Sequence, residues 1–325
     1  MTNCSFAIVM PAAQSGTHEW QGSVMGRSTI WYLAGYAVLW GGSTAYLAAR
    51  GADWTFPIIS LGIFGIALSG LAILLTRKAR PEPISVARPK LELSAVVVYL
   101  ALYAVLFLGL GMPALRGLAP PGREQDLIVL GGKLLVHVIL PAALLVALGA
   151  KLKPLFTAHL GKPGFWPPLI VLGAILLGLL SVVTPSLKQI GELHPAALTL
   201  AWAAPASFLW LAVEAGLNEE FLFRAVLQTR IAAVLRSEIG AVLIGAVLFA
   251  LAHVPGLYLR GTPDTDGYSK DLVQVIAFTI AALSPLALLL GTLWARTRSL
   301  LLVVLLHAGV DFMPNLAEFL KTWAV

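Results

Sequence analysis

The residues best suited to chemistry are two adjacent glutamates, Glu219 and Glu220, with Arg224 four positions after the second. Residues four apart on an α-helix lie on one face, so Glu220 and Arg224 can form an ion pair. That pair neutralises one carboxylate and leaves Glu219, about 100° away around the helix, without this partner. An unpaired carboxylate can act as a general base toward water. The alternative for this cluster is a structural ion pair that holds two helices together.

Two histidines are the next candidates. His253 follows Phe249 at the end of an apolar segment, and a Pro-Gly pair directly downstream predicts that the helix stops there. A lone histidine at a helix end is more often structural than catalytic. His307 and Asp311 carry more information, because their spacing of four lets the carboxylate fix the tautomer of the imidazole ring and favour its protonated form.

Lys133 and His137 are also four apart within an apolar segment and could form a second site or a tolerated structural pair. Other catalytic signatures are incomplete or absent. His18 and Glu19 begin a zinc-protease pattern that lacks its second histidine, and the sequence has no GxSxG, CxxC or phosphate-binding loop.

The composition places these residues in a membrane. Of 325 residues, 58% are hydrophobic and only 12% are charged, and the mean hydropathy is +0.87. Soluble domains carry about 25% charged residues, so a soluble globule is excluded. The formal net charge of +6 comes from scattered basic residues rather than a basic face, which excludes nucleic-acid binding. The single cysteine, Cys4, excludes a disulfide framework and a cysteine metal cluster.

Apolar stretches of about 20 residues predict membrane-spanning helices. They lie at about 28–48, 54–76, 93–112, 127–150, 166–184, 197–216, 238–253, 272–295 and 299–314. The predicted fold is therefore an all-α polytopic membrane protein, a bundle of about 8–10 transmembrane helices around an intramembrane active-site cavity. Three regions are expected: an N-terminal tail at 1–27, N-terminal transmembrane helices at 28–196 and a catalytic helical core at 197–325.

The segment before Arg236 allows two topologies. If 197–236 crosses once, the side that holds Arg77, Lys78 and Arg80 collects the larger share of the 22 Lys and Arg and is cytoplasmic. Gly216 could instead break the helix and Asn218 could cap a new one, which would reverse everything downstream. The single crossing gives the cleaner charge bias, but it places the candidate residues away from the basic turns.

Counting from the turns places the candidates in one layer. Glu219 and His253 lie at similar distances from the turn at Arg236. His307 and Asp311 lie roughly 15 and 20 Å from the next basic turn. If both turns face the same side, all four residues fall in one half of the bilayer.

These residues resemble a known family, the CAAX proteases and bacteriocin-processing enzymes, also called CPBP or Abi, which are intramembrane endopeptidases. The resemblance covers about residues 200–315. The motifs that carry it are Glu219-Glu220-x-x-x-Arg224, Phe249-x-x-x-His253 and His307-x-x-x-Asp311.

The resemblance implies that Glu219 activates water, that His253 assists, and that His307 with Asp311 stabilises the oxyanion. Supporting positions are Glu220, Arg224, Phe249 and Asn218. The third motif of the family ends in Asn or Asp, and an ionised Asp cannot donate a hydrogen bond as Asn can. In this chain Asp311 therefore holds His307 as the charged donor.

The resemblance favours a mechanism without a metal or other cofactor. The alternative is zinc held by Glu219, His253 and His307, which would make the protein a metalloprotease. The expected partners are a membrane-associated protein or peptide substrate and the lipid bilayer, with no nucleic acid, in a multi-pass protein of a bacterial cytoplasmic membrane. An ion- or proton-coupled transporter and a non-catalytic immunity or assembly factor remain alternative functions.

Overall fold

The computed structural model describes residues 27–263 and 265–324, and all regular structure in these ranges is helical. The tail predicted for 1–27, with Cys4, His18 and Glu19, lies outside the described residues except for Arg27, where the first helix begins. The long helices are α1 (Arg27–Ala49), α2 (Thr55–Leu75), α3 (Pro89–Arg116), α4 (Arg123–Ala147), α5 (Trp166–Val183), α6 (Ala197–Leu235), α7 (Glu238–Arg260), α8 (Leu272–Thr297) and α9 (Leu300–Ala324).

Within the described residues, eight helices, α2 to α9, are long and apolar enough to cross a membrane. This confirms the prediction of an all-α polytopic membrane protein. Helix α1 occupies the first expected span, but it is not one of these eight. It packs beside α8, where Tyr36 shares a hydrogen bond of 2.8 Å with Ser284 and the Trp40 indole donates to the Ala281 carbonyl.

One end of the bundle gathers the basic connections. The Leu300 amide donates to the Thr157 carbonyl at 2.9 Å, and Arg298 pairs with Glu238. The turn after α6 and the turn after α8 therefore lie at the same end, as the layer prediction requires. We refer to the end formed by residues 76–88, 148–165, 236–237 and 298–299 as the basic end.

Helix α6 corrects the sequence-based prediction of a possible break. It is continuous from Ala197 to Leu235, so the reversal at Gly216 to Asn218 is wrong and Asn218 is not an N-cap. Asn218 is buried inside the helix and its side-chain amide donates to the Glu214 carbonyl, one turn earlier, at 3.0 Å. A residue that can cap a helix also fits within one when its side chain bonds back to the preceding turn.

Gly216 has a different role from the expected helix break. A Cβ atom at this position would lie 2.7 Å from the Val304 carbonyl oxygen of α9. Small residues let membrane helices approach closely enough for their backbones to meet. Gly216 therefore sets the close crossing of α6 and α9, the two helices that carry the first and third motifs.

A buried ion pair ties α3 to the last turns of α6. The Arg230 guanidinium donates to Glu92 at 3.2 Å and to the Ala225 carbonyl at 3.1 Å. The other Glu92 oxygen accepts from the Arg88 amide at 3.1 Å. The side chains of Arg230 and Glu92 are 1% and 0% exposed, so neither charge could be solvated by water without its partner.

We expect Arg230→Met to lower the free energy of unfolding by about 3 to 5 kcal/mol, because it leaves the Glu92 carboxylate buried and unpaired. The double variant R230M/E92M should recover part of this loss. Unfolding by SDS titration in mixed micelles measures both.

The control is Lys188→Gln in the exposed Lys188–Glu192 pair, where the expected change is about 0 to 1 kcal/mol. Equal losses in R230M and K188Q would contradict a stabilising role for the buried pair.

Candidate active site

The two adjacent glutamates lie in the middle of α6, between two stretches of wider, π-helical backbone at Ala212–Leu217 and Phe221–Gln228. π-helical turns inside α-helices are frequent at functional sites. Glu219 and Glu220 point to different surroundings because they are adjacent on the helix. The candidate site is built where this part of α6 faces α7 and α9.

Glu220 is the buried carboxylate of the pair. One of its oxygens lies 2.7 Å from Nδ1 of His307, and the other lies 3.2 Å from Nε of Arg224. Its side chain is 0% exposed. The predicted Glu220–Arg224 ion pair is present, and Glu220 also joins α6 to α9 through His307.

Glu219 and Asp311 are more exposed than Glu220. Oε2 of Glu219 lies 3.9 Å from Nε2 of His307, and Oδ2 of Asp311 lies 3.5 Å from the same nitrogen. The exposed fractions of the two carboxylate side chains are 18% and 30%. The Nε2 atom of His307 therefore has two partly exposed carboxylates within 4 Å.

Phe249 connects the second motif to the other two. The Arg224 guanidinium lies 4.2 Å from the centroid of the Phe249 ring, a cation–π contact that accounts for an aromatic residue here. The His253 and His307 rings lie 4.9 and 6.2 Å from the Phe249 ring, centroid to centroid. The apolar Phe249 ring thus contacts Arg224, His253 and His307.

His253 is oriented by its own helix. Its Nδ1 lies 3.0 Å from the Phe249 carbonyl oxygen, and because a carbonyl can only accept, Nδ1 carries the hydrogen. The Nε2 atom is left for a ligand or water. His253 also interacts electrostatically with Glu219.

The structure brings Glu219, His253, His307 and Asp311 into one cluster with Glu220, Arg224 and Phe249. Asn218 directly precedes Glu219, and its side-chain amide donates to the Glu214 carbonyl one turn earlier in α6. Glu219 lies about 16 residues from the end of α6 at Leu235, or about 24 Å along the helix. Measured along α6, Glu219 therefore lies well inside the bundle, away from the basic end.

One charged residue beside this cluster was not among the candidates that the sequence suggested. Glu214 pairs with Lys133 of α4 at 2.5 Å, and the two side chains are partly buried. Lys133 also interacts electrostatically with Glu219 and Asp311. The available signal was the single carboxylate within the expected span at 197–216, four positions before Asn218.

His137 extends the polar layer to α3. Its Nδ1 bonds to the Lys133 carbonyl at 2.9 Å, and its Nε2 lies 2.8 Å from the Tyr103 hydroxyl. Both ring nitrogens have protein partners, so His137 serves to hold α3 and α4 together. Lys133 and His137 therefore belong to the surroundings of the cluster rather than to a second site.

The zinc alternative requires three ligands that meet at one point. In the part of the chain that the structure describes, no three side chains of His, Cys, Asp or Glu are grouped so that they could hold a metal ion.

Comparison with known proteins finds a family match over the same region of the chain. Residues 200–313 match the family described as Rce1-like, type II CAAX prenyl endopeptidase. This range contains all three motifs and runs from the start of α6 into α9. No curated protein and no solved structure matches the chain. The resemblance drawn from the motifs is confirmed for residues 200–313, the part of the chain that matches the Rce1-like, type II CAAX prenyl endopeptidase family.

Proposed function

We propose that the protein is an intramembrane endopeptidase in which Glu219 activates the water that hydrolyses a peptide bond of a membrane-associated protein or peptide. The observation that carries this proposal is the difference between the adjacent carboxylates. Glu220 is fully buried and occupied by Arg224 and His307, whereas Glu219 is partly exposed at the Nε2 edge of the same imidazole. Of the two carboxylates, only Glu219 is exposed enough for a water molecule to reach it.

Glu219 acts as the general base. A water molecule that donates a hydrogen bond to Glu219 loses its proton to the carboxylate as its oxygen attacks the substrate carbonyl carbon. His253 assists, because its Nδ1 is committed to the Phe249 carbonyl and its Nε2 can accept the second water hydrogen. The proton held by Glu219 is then available for the amine that leaves when the tetrahedral intermediate collapses.

His307 stabilises the oxyanion. Glu220 accepts a hydrogen bond from Nδ1, so the charged ring has its Nε2 hydrogen left to donate. A donor aimed at the developing oxyanion lowers the barrier in a site with little water. Asp311, at 3.5 Å from Nε2, favours the charged imidazole until the substrate oxygen takes its place. This role suits an ionised Asp, which can accept but not donate.

A prenylated peptide is the substrate class that the family description suggests. A lipidated substrate would reach the site from the bilayer, because the cluster lies between membrane-spanning helices. The substrate proposal rests on the family alone, and the catalytic proposal rests on the arrangement around Glu219. The two can therefore be tested separately.

Glu219→Gln should reduce cleavage by about 100-fold or more, because glutamine cannot take a proton from water. The assay follows a quenched, farnesylated peptide that ends in a CAAX sequence, with the purified protein in liposomes. A parallel experiment compares membrane proteomes of cells that express the native protein or E219Q. A precursor that accumulates only with E219Q identifies the substrate if the test peptide is not cut.

The control for folding is the elution volume and the unfolding midpoint of E219Q, which should match those of the native protein. Cleavage by folded E219Q at the native rate would contradict the general-base role. Unchanged cellular function of E219Q would favour an assembly factor, and loss of ion flux without any accumulated precursor would favour a transporter.

Glu220→Gln should affect folding as well as activity, because it leaves the Arg224 guanidinium without its carboxylate in a fully buried position. We expect a loss of about 3 to 5 kcal/mol in the free energy of unfolding, measured by SDS titration. E219Q is the matched control, since it makes the same chemical change one residue away. Equal destabilisation by the two substitutions would contradict the assignment of separate roles.

The metal-free mechanism predicts that activity survives treatment with o-phenanthroline and EDTA, since Glu219 rather than zinc activates the water. Elemental analysis of the purified protein should find far less than one zinc per chain. Stoichiometric zinc that is lost in parallel with activity and restored with it would contradict the metal-free mechanism.

A further inference from the structure

A cavity of about 750 Å³ opens at the basic end, far from Glu219. It lies between the last turn of α2 and the segment that leads into α5. Its lining includes Arg77, Lys78, Lys162, Leu74, Leu160 and Trp166. Pockets that hold small ligands have volumes of about 300 to 1,000 Å³, so this cavity is large enough for one.

Two cations of the cavity have no counter-charge. Within the described residues, the side chains of Arg77 and Lys78 make no ion pair or hydrogen bond. Lys162 of the same lining pairs with Glu82. The lining therefore keeps an uncompensated positive charge, whereas Arg298 nearby is paired with Glu238.

The other wall of the cavity is apolar and faces outward. The side chains of Leu74, Leu160 and Trp166 are among the large exposed hydrophobic residues. Tryptophan is enriched at membrane interfaces, where its ring lies at the level of the lipid headgroups. The cavity thus combines unpaired cations with an exposed apolar wall at the end of two membrane-spanning helices.

We propose that this cavity binds one anionic phospholipid, with the phosphate between Arg77 and Lys78 and an acyl chain along Leu74 and Trp166. Basic pockets between membrane helices on the cytoplasmic side bind acidic headgroups. The basic end is the cytoplasmic end by its charge bias. The apolar wall favours a lipid over a free phosphate compound, which would leave that wall without a partner. This proposal is independent of the proposed catalytic function.

The test measures lipid bound to the full chain by native mass spectrometry in a neutral detergent. The protein is offered dioleoyl phosphatidylglycerol, and in separate arms dioleoyl phosphatidylcholine and glycerol 1-phosphate. The native protein should retain phosphatidylglycerol in preference to the other two. The double variant R77Q/K78Q should bind it about thirtyfold more weakly, since each basic residue at the membrane surface contributes about 1 kcal/mol, or about fivefold.

The matched control is K151Q/K153Q, which removes two exposed charges from the same end but outside the cavity lining. It should keep native lipid binding, as should the charge-preserving variant R77K/K78R. The single variants R77Q and K78Q should each give a partial loss, which provides the test if the double variant does not fold. Equal losses of binding in R77Q/K78Q and K151Q/K153Q would overturn the proposal. Equal binding of phosphatidylglycerol and phosphatidylcholine would also overturn it. Equally strong binding of glycerol 1-phosphate would also overturn the lipid assignment.

Discussion

The hydrogen bond between Glu220 and His307 is the interaction on which the candidate site depends. It joins α6 to α9 at 2.7 Å, and Arg224 completes the network from the other side of the carboxylate. Charged groups inside a membrane are costly unless they pair with one another. The three groups therefore hold each other in place, and Gly216 allows the close helix crossing that brings them together.

The same network explains how two adjacent carboxylates can have different roles. Glu220 is buried and engaged by its ion-pair and hydrogen-bond partners. Its neighbour Glu219 lies at the Nε2 side of His307, where it is partly exposed. The buried member fixes the orientation of the imidazole, so that Nε2 faces Glu219 and Asp311. Our proposed mechanism uses this division: one carboxylate positions the ring and the other handles water.

The N-terminal helices also contribute to the surroundings of the site, although they lie outside the family match at 200–313. Lys133 of α4 pairs with Glu214 of α6, and its charge acts on Glu219 and Asp311. Tyr103 of α3 holds His137 of α4 in the same layer. The polar layer thus extends across helices that carry no family motif, and the site depends on the packing of both parts of the chain.

The sequence by itself determined the three motifs and all but the first of the expected membrane-spanning helices, because long apolar runs and spacings of four are local properties that survive in any fold. The Glu220–Arg224 pair was predictable for the same reason. Only the tertiary structure decided that α6 continues through Asn218, that Gly216 marks a helix crossing, and that Lys133 meets Glu214. These outcomes depend on which helix lies beside which, and the physical reason is that contacts between distant segments leave no periodic pattern in either segment alone.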